Sequence, residues 1–105
     1  MRPGMSVLDL GSGKMPALNP DCRPAGLNYV GLDITAGELA RAPSGSYDET
    51  VVSDVLEFRP ELEGRFDLAL SLFLFEHVEP LNAAIENVRR YLRPGGRLIA
   101  QLAGR

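Results

Sequence analysis

Polar groups close four successive short apolar runs in this 105-residue chain. The run at 6–10 leads into Asp9-Leu10-Gly11-Ser12-Gly13. The runs at 29–33, 49–53 and 66–72 are followed or closed by Asp33, Asp54 and the pair Glu76-His77. Gly11 and Gly13 let the backbone turn sharply and approach a ligand with no Cβ in the way. Asp33 stands twenty residues past Gly13, the spacing at which an acidic side chain accepts the hydroxyls of a bound ribose. His77 is the only side chain with an ordinary pKa near neutrality, about 6.5, and so the one candidate for a proton acceptor. Each residue also has a plain structural reading. Gly-x-Gly can be a tight turn, Asp33 and Asp54 can cap helices or close turns, and His77 can cap a helix starting near Pro80. Their shared position after consecutive apolar runs is what points to a ligand site.

The elements that must position them are strands alternating with helices or turns. Strands are expected at 6–10, 29–33, 49–53, 66–72 and 97–102. Several are almost continuously apolar, as in Val7-Leu8 and Ala69-Leu70, which fits a parallel sheet covered on both faces. Helix is expected from about Pro80 to Leu92, with Leu81, Ala84, Ile85, Val88 and Leu92 on one face. Pro94, Gly95 and Gly96 end it in a tight exit turn before the last strand. Thr35 is placed to cap a short helix over 36–42, and 55–62 can supply a turn or two, interrupted by Pro60. Pro16, Pro20 and Pro24 recur every four residues between Gly11 and Asn28, so that stretch is expected to be an irregular loop. In an open parallel sheet, ligands bind beyond the carboxyl ends of the strands where strand order reverses, which is where these residues fall.

Composition narrows the function classes. The length suits one domain over 1–105. Apolar residues at 45% and charged residues at 24% are those of an ordinary globular domain. Eleven Lys and Arg against fourteen Asp and Glu give a net charge of −3, which offers no broad cationic surface, so nucleic acid is not an expected partner. No stretch reaches the ~18 apolar residues of a membrane span, and no membrane partner is expected. The single Cys22, read as a buried or incidental thiol, cannot form an internal disulfide, which makes the cytoplasm the expected compartment. One Cys and one His exclude a structural zinc. Pro16 stands where a dinucleotide fingerprint needs Gly or Ala, and Lys14 is followed by Met15 where a phosphate-binding loop needs Ser or Thr.

Taken together, Val7-Leu8-Asp9-Leu10-Gly11-Ser12-Gly13, Tyr29-Val30-Gly31-Leu32-Asp33-Ile34, Val52-Ser53-Asp54-Val55, and Phe66 to Ser71 with Glu76-His77-Val78 resemble the class I S-adenosylmethionine-dependent methyltransferases. Tyr91-Leu92-Arg93-Pro94-Gly95-Gly96-Arg97-Leu98 continues the resemblance, which is closest to the small-molecule type. It implies an α/β, Rossmann-like three-layer sandwich around a mainly parallel five-stranded sheet in the order 3-2-1-4-5. It also implies S-adenosyl-L-methionine as cofactor and a small molecule as methyl acceptor. Asp9, Gly11 and Gly13 would then contact the methionine part, Asp33 with Ile34 the ribose, and Asp54 with the Val55 amide the adenine edge. Ser71 and Leu72 would line the pocket, and His77 would be the catalytic base where one is needed.

Three departures qualify that picture. Met15 replaces the family's third glycine, the proline-punctuated loop replaces the helix after the first motif, and the chain stops at Arg105, short of the family's last two strands. A fifth strand left as an apolar edge is a template for pairing, so a homodimer through that edge is expected unless the sequence is part of a longer polypeptide. The competing function is a non-catalytic S-adenosylmethionine-binding domain that serves as an interaction module.

Overall fold

Branched and aromatic residues occupy the strands of a single parallel sheet, described by a computed structural model over residues 4–11, 13–71 and 79–100. The strands are β1 (Ser6–Leu10), β2 (Asn28–Asp33), β3 (Glu49–Val52), β4 (Phe66–Ser71) and β5 (Leu92–Ala100). They lie in the order β3-β2-β1-β4-β5, every neighbouring pair parallel, as the sequence leads one to expect. Strand order reverses between β1 and β4, which places a crevice at their carboxyl ends. Asp9 stands level with Gly31 on β2 and Leu70 on β4.

Alternation along the strands divides the interior into two layers. On one face Leu8, Leu10, Val30, Leu32, Val51 and Ala69 pack against Val55, Leu62, Phe66, Ala84, Val88 and Tyr91. Helix α2 (Leu81–Tyr91) covers this face through Ala84, Val88 and Tyr91. The expected helical stripe is shifted at its ends: Leu81 is 40% exposed, Pro80 is the N-cap, and Tyr91 takes the inner position at the C-terminus. Tyr91 is the better anchor because its ring stacks on Phe58 at 5.4 Å and its hydroxyl accepts from the Arg59 amide at 2.8 Å.

The opposite face is built differently. Val7, Tyr29, Leu68 and Leu70 are covered by Met5, Ala17, Leu18, Leu27 and Tyr47, with no long helix among the covering residues. The segment from Gly13 to Leu27 is irregular apart from one turn of 3₁₀ helix at Pro20–Cys22, in agreement with its prolines. Cys22 within that turn is exposed, not buried. The helix expected over 36–42 is the shorter α1 (Ala36–Ala40), and the turn expected at 55–62 narrows to a 3₁₀ helix at Pro60–Leu62.

The last strand differs most from the sequence expectation. It begins at Leu92 directly after α2, where Arg97 was the expected first residue. Leu92 pairs with Phe66 and Arg97 with Leu68, so residues 93–96 bulge out opposite Asp67 alone. Arg93 closes the bulge by donating to both Asp67 oxygens at 2.9 and 3.1 Å, while Asp67 also accepts from the Ser6 amide at 2.9 Å. The glycines and proline that read as a turn are therefore a bulge inside a longer strand, a common way to admit extra residues without losing register.

Candidate functional site at the strand ends

The turn after β1 is tied to the next strand at its first glycine. The Gly11 amide donates to the Leu32 carbonyl at 2.7 Å, and Gly11 adopts φ +73°. Gly13, at φ +53°, faces the end of β2: a Cβ there would lie 3.2 Å from Asp33 Oδ2 and 3.0 Å from Glu38 Cβ. A side chain at Gly13 would thus intrude on the carboxylate. The turn and Asp33, read separately in the sequence, form one continuous surface of bare backbone and carboxylate.

Asp33 Oδ1 accepts from the Thr35 amide at 2.9 Å, which fixes the carboxylate at the start of α1. Thr35 is the N-cap of α1 as expected but makes no side-chain capping bond, and the aspartate turn leads into it. Ile34 is 66% exposed beside it. Asp54 repeats the device after β3, where its Oδ1 accepts from the Leu56 amide at 2.9 Å. The β2–β3 register sets Asp33 opposite Val52, and the Ser53 amide donates to the Asp33 carbonyl at 3.0 Å, so the two acidic residues share one rim. Val55 turns its side chain into the core and its carbonyl accepts from Asn87 Nδ2 at 3.0 Å. Ser71 closes β4 with its hydroxyl buried and without a hydrogen-bond partner among the described residues. Leu72 and His77, like Ser12 and Glu76, lie outside the described residues.

Asp9 sits deeper than the rim. It is fully buried, and its Oδ2 accepts from the Tyr29 hydroxyl at 2.6 Å and from the Ala17 amide at 2.7 Å. The Leu18 amide donates to the Tyr29 hydroxyl at 3.1 Å, and Arg23 lies over the Tyr29 ring at 3.6 Å while donating to the Leu18 carbonyl at 2.8 Å. Tyr47 completes the group. Its hydroxyl donates to the Gly13 carbonyl at 2.7 Å and its ring lies 6.0 Å from that of Tyr29, inclined by 27°. Side chains therefore hold the irregular loop where helical hydrogen bonds would otherwise do so. Sequence reading missed Tyr29, Tyr47 and Arg23. The one available signal was a tyrosine at the start of one expected strand and another just before the next, which also describes many ordinary strands.

Burial pushes the Tyr29 and Tyr47 phenols well above the ordinary value near 10, and the negative charge of Asp9 adds to both, joined by Asp33 at Tyr47. The folded state thus holds phenol protons more tightly than the unfolded chain. Stability from this source is complete below pH ~10 and is lost as pH rises past it. Thermal midpoints measured between pH 8 and 11 are expected to stay level and then fall above about pH 10. Tyr29→Phe should make the alkaline fall shallower, and a fall of unchanged steepness would remove Tyr29 as its source.

Three comparisons with known proteins converge on this region. The sequence model of a family described as "Methyltransferase domain" matches residues 8–100. The demethylmenaquinone methyltransferase of Beutenbergia cavernae is 32% identical over 98 residues, taking in 93% of this chain and 40% of that protein. An mRNA cap guanine-N(7) methyltransferase of Cryptococcus neoformans is 31% identical over 121 residues, covering 96% of this chain and 20% of that one. The crystal structure of an S-adenosylmethionine-dependent methyltransferase from Mesorhizobium loti superposes with a TM-score of 0.72 at 27% identity, over 93% of this chain and 46% of that one. The chain thus spans two fifths or less of the length of these two curated relatives.

Proposed function

The chain belongs to the methyltransferase domain family, and from that premise we propose that its rim binds S-adenosylmethionine for methyl transfer to a small-molecule acceptor. The observation that carries the reading is the close apposition of Gly13 and Asp33, bare backbone set against a carboxylate held by the Thr35 amide, where a Cβ would crowd the carboxylate. The donor set suits the cofactor's chemistry. Asp33 can accept from the two ribose hydroxyls, while Gly11 and Gly13 leave room for the methionine end. Asp54 and the Val55 amide face the adenine edge. The buried Ser71 hydroxyl lines the β4 side, where it has no partner among the described residues. Carboxylates at Asp33 and Asp54 favour a ligand carrying sulfonium and ammonium charge over a pyrophosphate. Asp9 acts from below by fixing Ala17 and Tyr29.

Bound S-adenosylmethionine supplies an electrophilic methyl group on a sulfonium sulfur. The chain's own contribution is alignment, which in well-oriented reactions is worth on the order of 7 to 11 kcal/mol. The fixed turn at Gly11 and Gly13 and the pinned carboxylate of Asp33 are the parts that provide it.

Calorimetric titration with S-adenosylhomocysteine, parent against Asp33→Ala, tests the assignment. Loss of the charged ribose partner should weaken binding by about 1 to 3 kcal/mol, roughly 5- to 150-fold. Equal affinity in the two proteins would remove Asp33 from the site. Because an mRNA cap enzyme is among the relatives, a capped RNA belongs beside small phenols and carboxylates in the acceptor assay. Methylation of the RNA alone would overturn the small-molecule reading.

A further inference from the structure

We propose that Tyr47 is a positioning residue for the cofactor, acting through the carbonyl of Gly13; the inference rests on the binding site proposed above. Tyr47 is far from the glycine turn in sequence and comes from the segment between α1 and β3. Yet its hydroxyl donates to Gly13 O at 2.7 Å. Its ring is bedded directly on the sheet. A Cβ at Gly31 would lie 2.5, 2.6 and 2.9 Å from ring carbons Cε1, Cδ1 and Cζ, so the ring occupies the space that any larger residue at 31 would need. Tyr29 flanks the ring on one side and is itself fixed by Asp9 and Arg23. The hydroxyl therefore projects from a rigid platform.

Among the described residues, what it holds is a turn with no α-helix directly behind it. The segment between Gly13 and β2 contains no α-helix and is irregular apart from the one 3₁₀ turn at Pro20–Cys22. The turn is tied to β2 through the Gly11 amide at one end and to Tyr47 through the Gly13 carbonyl at the other. Fixing both ends sets the spacing between the turn and the Asp33 carboxylate, and hence the shape offered to the methionine half of the ligand. Pre-organisation of this kind raises affinity by removing an ordering cost from binding.

The test is Tyr47→Phe, which keeps the ring and removes the donor. S-adenosylhomocysteine should bind about 5- to 10-fold more weakly, the effect of one lost hydrogen bond. Adenosine, which lacks the methionine half, should bind within about twofold of its affinity for the parent, and the thermal midpoint should fall by no more than the ~4 to 8 °C of one lost hydrogen bond. Equal weakening of both ligands would show a merely structural role and overturn the proposal, as would unchanged S-adenosylhomocysteine binding. A parent protein that binds neither ligand would instead refute the cofactor site itself, and the positioning role with it.

Discussion

Asp9→Ala is expected to lower the thermal midpoint by about 12 to 24 °C. The substitution leaves the Tyr29 hydroxyl and the Ala17 amide without the acceptor each now has. A buried donor left unsatisfied costs about 1 to 3 kcal/mol. Two of them at about 1.5 kcal/mol each, toward the low end because both lie at a partly buried loop, bring the loss to about 3 kcal/mol. A domain of this size shifts by about 4 to 8 °C per kcal/mol. The consequence spreads along the loop, because Ala17 and Leu18 are the points at which the irregular segment is fastened to Asp9 and Tyr29. Asp9→Asn retains an acceptor of nearly the same shape and should lose about half as much. The order parent, Asn, Ala in differential scanning calorimetry is the signature of an acceptor role. Equal midpoints for the three proteins would show that the carboxylate does not hold the loop.

The strand framework was legible in the sequence because its causes are local. Continuous apolar runs such as Val7-Leu8 and Ala69-Leu70 mark strands buried on both faces, and short runs alternating with helical or turn segments leave a parallel sheet as the economical arrangement. The rim residues Gly11, Gly13, Asp33 and Asp54 were legible for the same reason, since each follows or closes a strand. The start of β5 was not. Pro94-Gly95-Gly96 has the composition of a turn, and only the pairing of Leu92 with Phe66, 26 residues away, makes it a bulge. Thr35 does stand at the N-cap of α1, but its hydroxyl makes no capping bond, and the side-chain bond at this end is the one its own amide donates to Asp33, two residues earlier. Tyr29 and Tyr47 were illegible for a deeper reason. A tyrosine in or before a strand predicts β structure and nothing more. Its partner atoms on Asp9 and Gly13 become neighbours only after two crossovers have brought β1, β2 and the segment before β3 together. Long-range side-chain bonds of this kind leave no periodicity to find.

The close fit between Gly31 and Tyr47 yields the second large expected effect, and a double-mutant cycle isolates it. Gly31→Ala places a Cβ 2.5 to 2.9 Å from three ring carbons, closer than van der Waals contact allows, so the ring must leave its seat or the strand must shift. Overpacking of this sort costs about 1 to 3 kcal/mol. Displacing the ring also forfeits its packing against Tyr29 and its bond to Gly13, and S-adenosylhomocysteine should bind at least as weakly as it does to Tyr47→Phe. In a Tyr47→Ala background the obstruction is gone. There Gly31→Ala should be neutral or slightly stabilising, because glycine within a strand is itself unfavourable by about 0.5 to 1 kcal/mol relative to alanine. The coupling between the two sites is therefore expected at about 1 to 3 kcal/mol, within the range of residues in direct contact. If Gly31→Ala costs as much without the ring as with it, the crowding comes from the sheet backbone, and glycine at 31 serves β2 alone. If the cost vanishes, glycine at 31 is what gives Tyr47 its seat, and the geometry of the turn at Gly13 depends on a residue buried beneath the rim.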